Sequence, residues 1–129
     1  MAKALLVTIP KSTSKDTLLR EIRDINDNGL IDNHRLGRKP KQAVEQVLFV
    51  YNGAIRYVAD VIGYELKAFV CETTGIKWDE AWYIEFENVR DVPCRITYKG
   101  FQGFRYVEEL TDKNLPVWWT ASILSGQKG

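Results

Sequence analysis

The chain has 129 residues, of which 45% are hydrophobic and 27% charged, a composition that excludes wholesale disorder and fits one globular domain. Its 18 Lys and Arg residues and 17 Asp and Glu residues leave a net charge of +1, which excludes a general polyanion binder and makes any nucleic-acid contact local. Cys71 and Cys94 form no CxxC pattern, and no run approaches the ~20 apolar residues of a membrane helix.

These features predict a single domain over residues 1–129, with frayed ends at 1–3 and 125–129. We expect a cytoplasmic protein with free thiols, no membrane partner, no metal and no cofactor, because no motif for any of these is present. The aromatic content of 12%, with four Trp, is the one high value. Aromatic residues build cores but also stacking platforms, so their placement decides what they do.

The chain opens with a strand and a helix. The short apolar run Ala4 to Ile9, closed by Pro10, predicts a buried strand. Ser14 then provides an N-cap, and Leu18, Ile22 and Ile25, with Leu19 beside them, form the apolar stripe of an amphipathic helix. The sequence Asn-Asp-Asn-Gly at 26–29 predicts its left-handed end.

Residues 30–46 break the pattern and predict a long loop, with or without a short helix. This segment contains Gly37, Pro40, a set of four basic residues and the only histidine. Long loops in compact domains are often functional, although a solvated connector explains the same charges.

The segment VLFVYNGAIRYVADVIGYE is the strongest local signal. Asn52-Gly53 is the favoured dipeptide of a two-residue hairpin and predicts the pairs Tyr51–Ala54 and Val50–Ile55. Continued without a bulge, the register pairs Phe49 with Arg56. One face of the predicted hairpin then belongs to the hydrophobic core. The other face carries aromatic and charged side chains, as in a barrel or in a sheet that a helix partly covers.

The second half of the chain predicts further strands. AWYIEFENV alternates cleanly, which places Trp82 in the core, and Val92-Pro93 ends that strand before another short extended piece. With one helix and five or six strands, the predicted fold is α+β, mostly β: a small curved β-barrel with the N-terminal helix packed on it.

The segment KGFQGFRYV at 99–107 comes close to the RNP1 signature of RNA-binding RRM domains, but Gln102 is inserted between the aromatic and the second glycine. The order of the elements also differs from βαββαβ. Gly100 and Gly103 therefore predict bends, with Phe104 and Tyr106 on one face and Arg105 on the other.

The order of elements resembles a PUA-like domain of the ASCH and EVE group, which includes YTH-like readers. The resemblance covers roughly residues 3 to 110 and lies in the first strand and helix, the loop ending in RKPKQAVEQ, the hairpin VLFVYNGAIRYVADVIGYE, the strand WYIEFENV and GFRYVEEL. It implies binding of DNA or RNA, with one modified or extruded base held in an aromatic pocket.

The residues that this resemblance nominates are of three kinds. The stacking surfaces are Tyr51, Trp78, Trp118 and Trp119. The polar readers are Asp32 and Asn52. The phosphate contacts are Arg35, Arg38, Lys39 and Lys41. His34 and Arg105 are further candidates for nucleic-acid binding. A loop Trp such as Trp78 serves equally well as a lid over the core.

Two other functions stay open. Some ASCH-type proteins resemble small amidohydrolases that act on nucleoside-like substrates with a Lys, a Thr and a Glu; Lys11, Thr13 and Glu85 or Glu87 supply those types without a convincing spacing. The third function is an interaction or inhibitor protein that binds a partner through the aromatic C-terminal segment, where adjacent Trp118 and Trp119 also fit an oligomer interface.

Overall fold

The computed structural model describes residues 3–71 and 73–108, together with the side chains of all but Lys3, Pro93–Arg95 and Glu108. This part of the chain forms one helix and one mostly antiparallel sheet of six strands in the order β2-β5-β4-β3-β1-β6. The elements are β1 (Lys3–Thr8), α1 (Lys15–Asn28), β2 (Asp32–Leu36), β3 (Gln46–Tyr51), β4 (Ala54–Val70), β5 (Lys77–Thr97) and β6 (Phe104–Glu108).

The centre of the sheet is formed by the two apolar runs of the sequence. β1 and β3 pair in parallel, with Leu6 opposite Leu48, and their side chains are buried on both faces. β6 pairs antiparallel with the free side of β1. Gly103, at φ 81°, takes a left-handed conformation just before β6, as the sequence predicts for a bend.

Helix α1 forms where its caps and its apolar stripe predict it. The Ser14 hydroxyl accepts a hydrogen bond from the Thr17 amide at 3.2 Å, and Gly29 ends the helix at φ 66°. Leu18 and Ile25 are buried against the sheet, whereas Leu19 is exposed. Two hydrogen bonds attach the C-terminal end of the helix to β5. The Asn26 side chain donates to the Val89 carbonyl at 2.8 Å and accepts from the Val89 amide at 2.9 Å.

The prediction of an unstructured segment over 30–46 is wrong in its first part. Residues 32–36 form β2, which pairs antiparallel with β5 so that His34 lies opposite Ile84. The sequence DNHRL contains no β-branched residue and does not alternate, so its own pattern does not predict a strand. It forms one because it pairs with the long strand β5. Only residues 37–45 form the loop.

The predicted hairpin register is correct next to the turn and wrong beyond it. Tyr51 pairs with Ala54 and Val50 with Ile55, but Phe49 lies opposite Tyr57 and not Arg56. A bulge at this point accommodates one extra residue and moves Tyr57 to the face of Phe49. Both faces of the hairpin are consequently buried.

β5 continues through Val92-Pro93, where the sequence predicted its end. Four register shifts along the β4–β5 ladder allow these two long strands to bend while they stay paired. Pairing among the described strands gives an open sheet with β2 and β6 at its edges, so a closed barrel is not shown.

The loop 37–45 links the two edge strands. It follows β2, and its Gln42 amide donates to the Tyr106 hydroxyl of β6 at 3.1 Å. Its Gln42 carbonyl accepts from the Tyr64 hydroxyl of β4 at 2.7 Å. One apolar cluster lies on the helix side of the sheet, and a second, which includes Leu6, Leu48 and Val58, lies on the other side.

Candidate functional site

A cavity of about 330 Å³ lies between helix α1 and the sheet. Its walls come from the end of β1, the first turns of α1, strand β2 and the facing parts of β3, β4 and β5. The residues that matter for its chemistry are Thr13, Glu21, Asp32, Asn33, His34, Arg35, Phe49, Tyr57, Trp78, Tyr83 and Phe86.

Aromatic rings form the apolar walls. Phe49 and Phe86 pack with their ring centroids 5.0 Å apart, and His34 meets Phe49 edge-on at 6.0 Å. Tyr83 is almost completely buried and donates its hydroxyl to the Asp79 carbonyl at 2.7 Å, which fixes the ring. Such rings offer π faces to a planar ligand.

Trp78 lines the same cavity and keeps 37% of its surface exposed. It lies in β5, one residue after the strand begins, and stacks on Phe69 with the centroids 6.3 Å apart. Trp78 therefore lies in a strand and not in the loop that the sequence predicted, and it covers part of the interior while it stays partly exposed.

Two carboxyl groups face the cavity from α1 and β2. Burial raises the pKa of Glu21 to about 7; the nearby Asp32 charge raises it further and Arg20 opposes the rise. Burial also raises the pKa of Asp32, although the Asn33 amide donates to its carboxylate at 2.8 Å and Lys67 lies near. Glu21 therefore exchanges a proton near neutral pH, which makes it a donor as well as an acceptor.

His34 is neutral in this environment. Burial lowers its pKa to about 4, and its ring packs on Phe49. A neutral imidazole carries one N–H donor and one acceptor nitrogen, so His34 adds polarity to the wall without adding charge.

The side-chain oxygen of Asn33 is buried and accepts no hydrogen bond within the described part of the chain. Asn33 also borders a second cavity of about 230 Å³, which shares Glu21, Ile25 and Asp32 with the first. An unsatisfied buried acceptor costs about 1–3 kcal/mol, and a turn of the Asn33 amide would present it to an N–H donor in either cavity.

The structure brings together five of the nominated residues. Asp32, His34, Arg35 and Trp78 line the cavity directly. Tyr51 is buried behind it and donates its hydroxyl to the Thr13 carbonyl at 2.8 Å, which ties β3 to the turn before α1. Tyr51 therefore supports the wall and does not present its ring as a free stacking surface.

The remaining loop cations lie beyond the cavity. The Arg38 guanidinium sits 5.0 Å from the Phe104 ring centroid, and the Lys39 ammonium sits 5.2 Å from the centroid of Trp82. These cation–π contacts position both charges on the loop, while Lys41 is simply exposed. Trp82 packs on the core, as its place in the strand predicts.

Two nominated residues lie elsewhere, and two are outside the described residues. Asn52 is exposed in the hairpin turn at φ 52°. Arg105 lies on the other face of the sheet, 4.1 Å from the Phe101 ring centroid, and donates to the Tyr98 hydroxyl at 3.0 Å. Trp118 and Trp119 belong to residues 109–129 and are not described.

The residues of the hydrolase hypothesis are not assembled at the cavity. Only Thr13 lines it. Glu85 forms an ion pair with Lys67 at 2.8 Å, and both Lys11 and Glu87 are exposed. Within the described ranges, no group of three or more His, Cys, Asp or Glu residues could hold a metal ion, and no helix is long and apolar enough to cross a membrane.

Sequence reasoning missed Glu21, Asn33 and Tyr83. Glu21 lies one residue before Ile22 of the apolar stripe, and that proximity to the buried face was the available signal. Asn33 and Tyr83 gave no such signal, because β2 itself was missed and its pairing with β5 sets their positions. Comparison of the chain with protein-family models, curated proteins and solved structures gives no match.

Proposed function

We propose that the protein is a nucleic-acid-binding module whose cavity between α1 and the sheet receives one extruded base. The observation that carries this proposal is the composition of the cavity wall: several aromatic rings together with a few convergent polar groups, in about 330 Å³. That volume lies at the small end of the range for ligand pockets, about 300–1,000 Å³. A flipped base needs π faces and polar partners for its edge, and this wall offers both kinds of group.

The polar groups favour a particular kind of base edge. The Asn33 oxygen is an acceptor, and Asp32 and Glu21 are acceptors when they are ionised, so an edge with N–H donors satisfies them. Amino-bearing bases such as guanine, adenine and cytosine supply these donors, whereas uracil and thymine supply one N–H between two carbonyls. The same carboxyls repel phosphate, which keeps the backbone outside the cavity.

Phosphates would then lie on the loop side of β2. Arg35 lines the cavity and is exposed, and Arg38 and Lys39 follow it within three and four residues. Their contacts with Phe104 and Trp82 hold two of the three charges in place. A local cluster of this kind supports salt-sensitive binding even though the chain is nearly neutral.

The resemblance to PUA-like domains and the closed barrel remain part of this proposal. Support comes from the loop 37–45, which joins the edge strands β2 and β6 through Gln42 and the Tyr106 hydroxyl. Closure of the sheet into a small barrel would need its two edges to approach each other, and this bridge already connects the loop after β2 to β6.

The test is a binding titration with fluorescein-labelled single- and double-stranded DNA and RNA, followed by anisotropy at two salt concentrations. We expect salt-dependent binding that Arg35→Ala and Trp78→Ala weaken. Arg23→Ala, which removes an exposed cation on the outer side of α1, is the matched control and should bind as the wild type does. A flat titration with every oligonucleotide would exclude the proposal.

A second candidate function rests on the placement of Glu21 and Asp32 on the same cavity wall, where burial raises the pKa values of both carboxyls. Paired carboxyls with raised pKa values are the groups that general acid–base catalysis uses. A small hydrolase of nucleoside-like substrates would therefore act through Glu21 and not through Lys11. Chromatography of nucleosides incubated with the protein tests this: turnover that Glu21→Gln abolishes supports it, and no turnover excludes it.

A further inference from the structure

Among the described residues, strand β4 has an unpaired edge over its second half. β3 pairs with β4 only as far as Asp60, and one more backbone bond, from the Val61 amide to the Glu45 carbonyl at 2.9 Å, ends that ladder. On its other side β4 pairs with β5 as far as Val70. Within residues 3–71 and 73–108, no strand pairs with the first edge from residue 62 to 70.

This edge carries apolar side chains that water can reach. Ile62, Leu66 and Val70 are 46%, 50% and 59% exposed. Natural proteins usually protect a long edge strand with charges, proline or a covering element, since its free amide and carbonyl groups are a template for another strand. Residues 62–70 contain no proline, and their two charges are of opposite sign, so a second copy of the strand can neutralise them.

The charges on the same strand are arranged symmetrically about Leu66. Glu65 precedes it and Lys67 follows it, and the Lys67 ammonium lies 3.8 Å from Glu65 and 2.8 Å from Glu85. If two copies of the strand run antiparallel about an axis at Leu66, each Glu65 lies opposite the Lys67 of the other copy. An axis at Glu65 or at Lys67 instead places like charges opposite each other, which is unfavourable.

The apolar residues fit the same alignment. With Leu66 opposite its own copy, the two exposed Leu66 side chains meet at the axis. Val70 of each strand then lies at the end of the other strand that carries Ile62 and the register shift between Val61 and Gly63. Antiparallel strands with a two-fold axis form an isologous interface, in which one surface is its own complement.

We propose that two copies of this chain associate by antiparallel pairing of the β4 edge over residues 62–70, with the two-fold axis at Leu66. The pairing joins the β4–β5 hairpins of the two copies into one continuous sheet. Because the interface is a single strand from each copy, it is small, and the dimer is expected to dissociate on dilution.

Sedimentation velocity over a range of protein concentrations tests this inference. We expect the mass to rise from 14.9 kDa towards twice that value with concentration. Leu66→Lys, which places two ammonium groups opposite each other, should abolish the dimer, and Val70→Lys provides a second variant at a more exposed position. Leu19→Lys, a matched change at an exposed apolar residue of α1 that lines neither cavity, should leave the dimer intact.

A charge swap then tests the register. Glu65→Lys alone should weaken the dimer, because it sets like charges opposite each other. The triple variant Glu65→Lys/Lys67→Glu/Glu85→Lys, which keeps opposite charges at positions 67 and 85, should restore it. Circular dichroism confirms that each variant is folded. A wild-type chain that stays monomeric at every concentration, a dimer that survives Leu66→Lys and Val70→Lys, or a swap that restores nothing would each overturn the proposal.

Discussion

Replacing Glu21 by glutamine removes one of the two carboxyls on the cavity wall and keeps the shape of the side chain. Burial and the neighbouring Asp32 raise the pKa of Glu21 from 4.5 to about 7. At about 1.4 kcal/mol for each tenfold change in proton affinity, this rise corresponds to an upper limit of about 3 kcal/mol. Because the carboxyl is only partly buried, solvent screening reduces the expected effect to roughly 1–2 kcal/mol.

The sign follows from proton binding. A carboxyl with a raised pKa in the folded protein binds more protons there than in the unfolded chain between pH 4.5 and about 7. The contribution of Glu21 to stability is therefore largest below pH 4.5 and falls as the pH rises to about 7. Glu21→Gln should stabilise the protein by roughly 1–2 kcal/mol at pH 8 and change little at pH 4.5.

Urea unfolding of the wild type and of Glu21→Gln at pH 4.5 and pH 8, followed by circular dichroism, measures this difference. Glu45→Gln, at an exposed loop carboxyl, is the control and should change stability equally at both values of pH. If Glu21→Gln destabilises the protein at pH 8, the carboxylate makes a favourable contact, and its desolvation does not lower the free energy of unfolding.

Three further predictions test the supports of the site. Asn26→Ala should lower the free energy of unfolding in urea by about 1–3 kcal/mol, because it leaves the backbone amide and carbonyl of Val89 without their partner. Asn28→Ala should lower it much less, since the Asn28 side chain makes a long 3.4 Å contact with Asp24. Ser14→Ala should lower the thermal midpoint through loss of an N-cap worth about 1 kcal/mol, and equal midpoints for the two proteins would contradict the capping role. His34→Gln should reduce the loss of stability between pH 6.5 and about 4, because an imidazole with a lowered pKa binds fewer protons in the folded protein than in the unfolded chain; an unchanged pH profile would argue against that lowered pKa.

Sequence reasoning succeeded where local chemistry specifies local structure. Ser14 and Gly29 bound the helix as predicted, and Asn52-Gly53 forms the predicted turn with its two nearest pairs. These outcomes depend on capping and on left-handed backbone conformations, which residues within a few positions of each other determine.

Prediction from the sequence failed where a strand distant in sequence stabilises the segment. β2 has the composition of a loop and becomes a strand because β5 offers a complete row of backbone partners from Trp82 to Phe86. The hairpin register shifts by one residue at Phe49, and this bulge left no signal in the alternation of side chains. Propensity is weak compared with such pairing, so neither feature follows from local pattern.

The candidate site was predicted in its residue types and only partly in its members. Asp32, His34, Arg35 and Trp78 do meet at one cavity, while Arg105 lies on the other face and Asn52 in a remote turn. The sequence by itself determined the helix, the turn and the apolar runs of β1 and β3, because each depends on chemistry contained within a short segment. Only the tertiary structure decided that Glu21 and Asn33 join the cavity wall and that no described strand pairs with the second half of the β4 edge, because helix packing and long-range strand pairing set both outcomes.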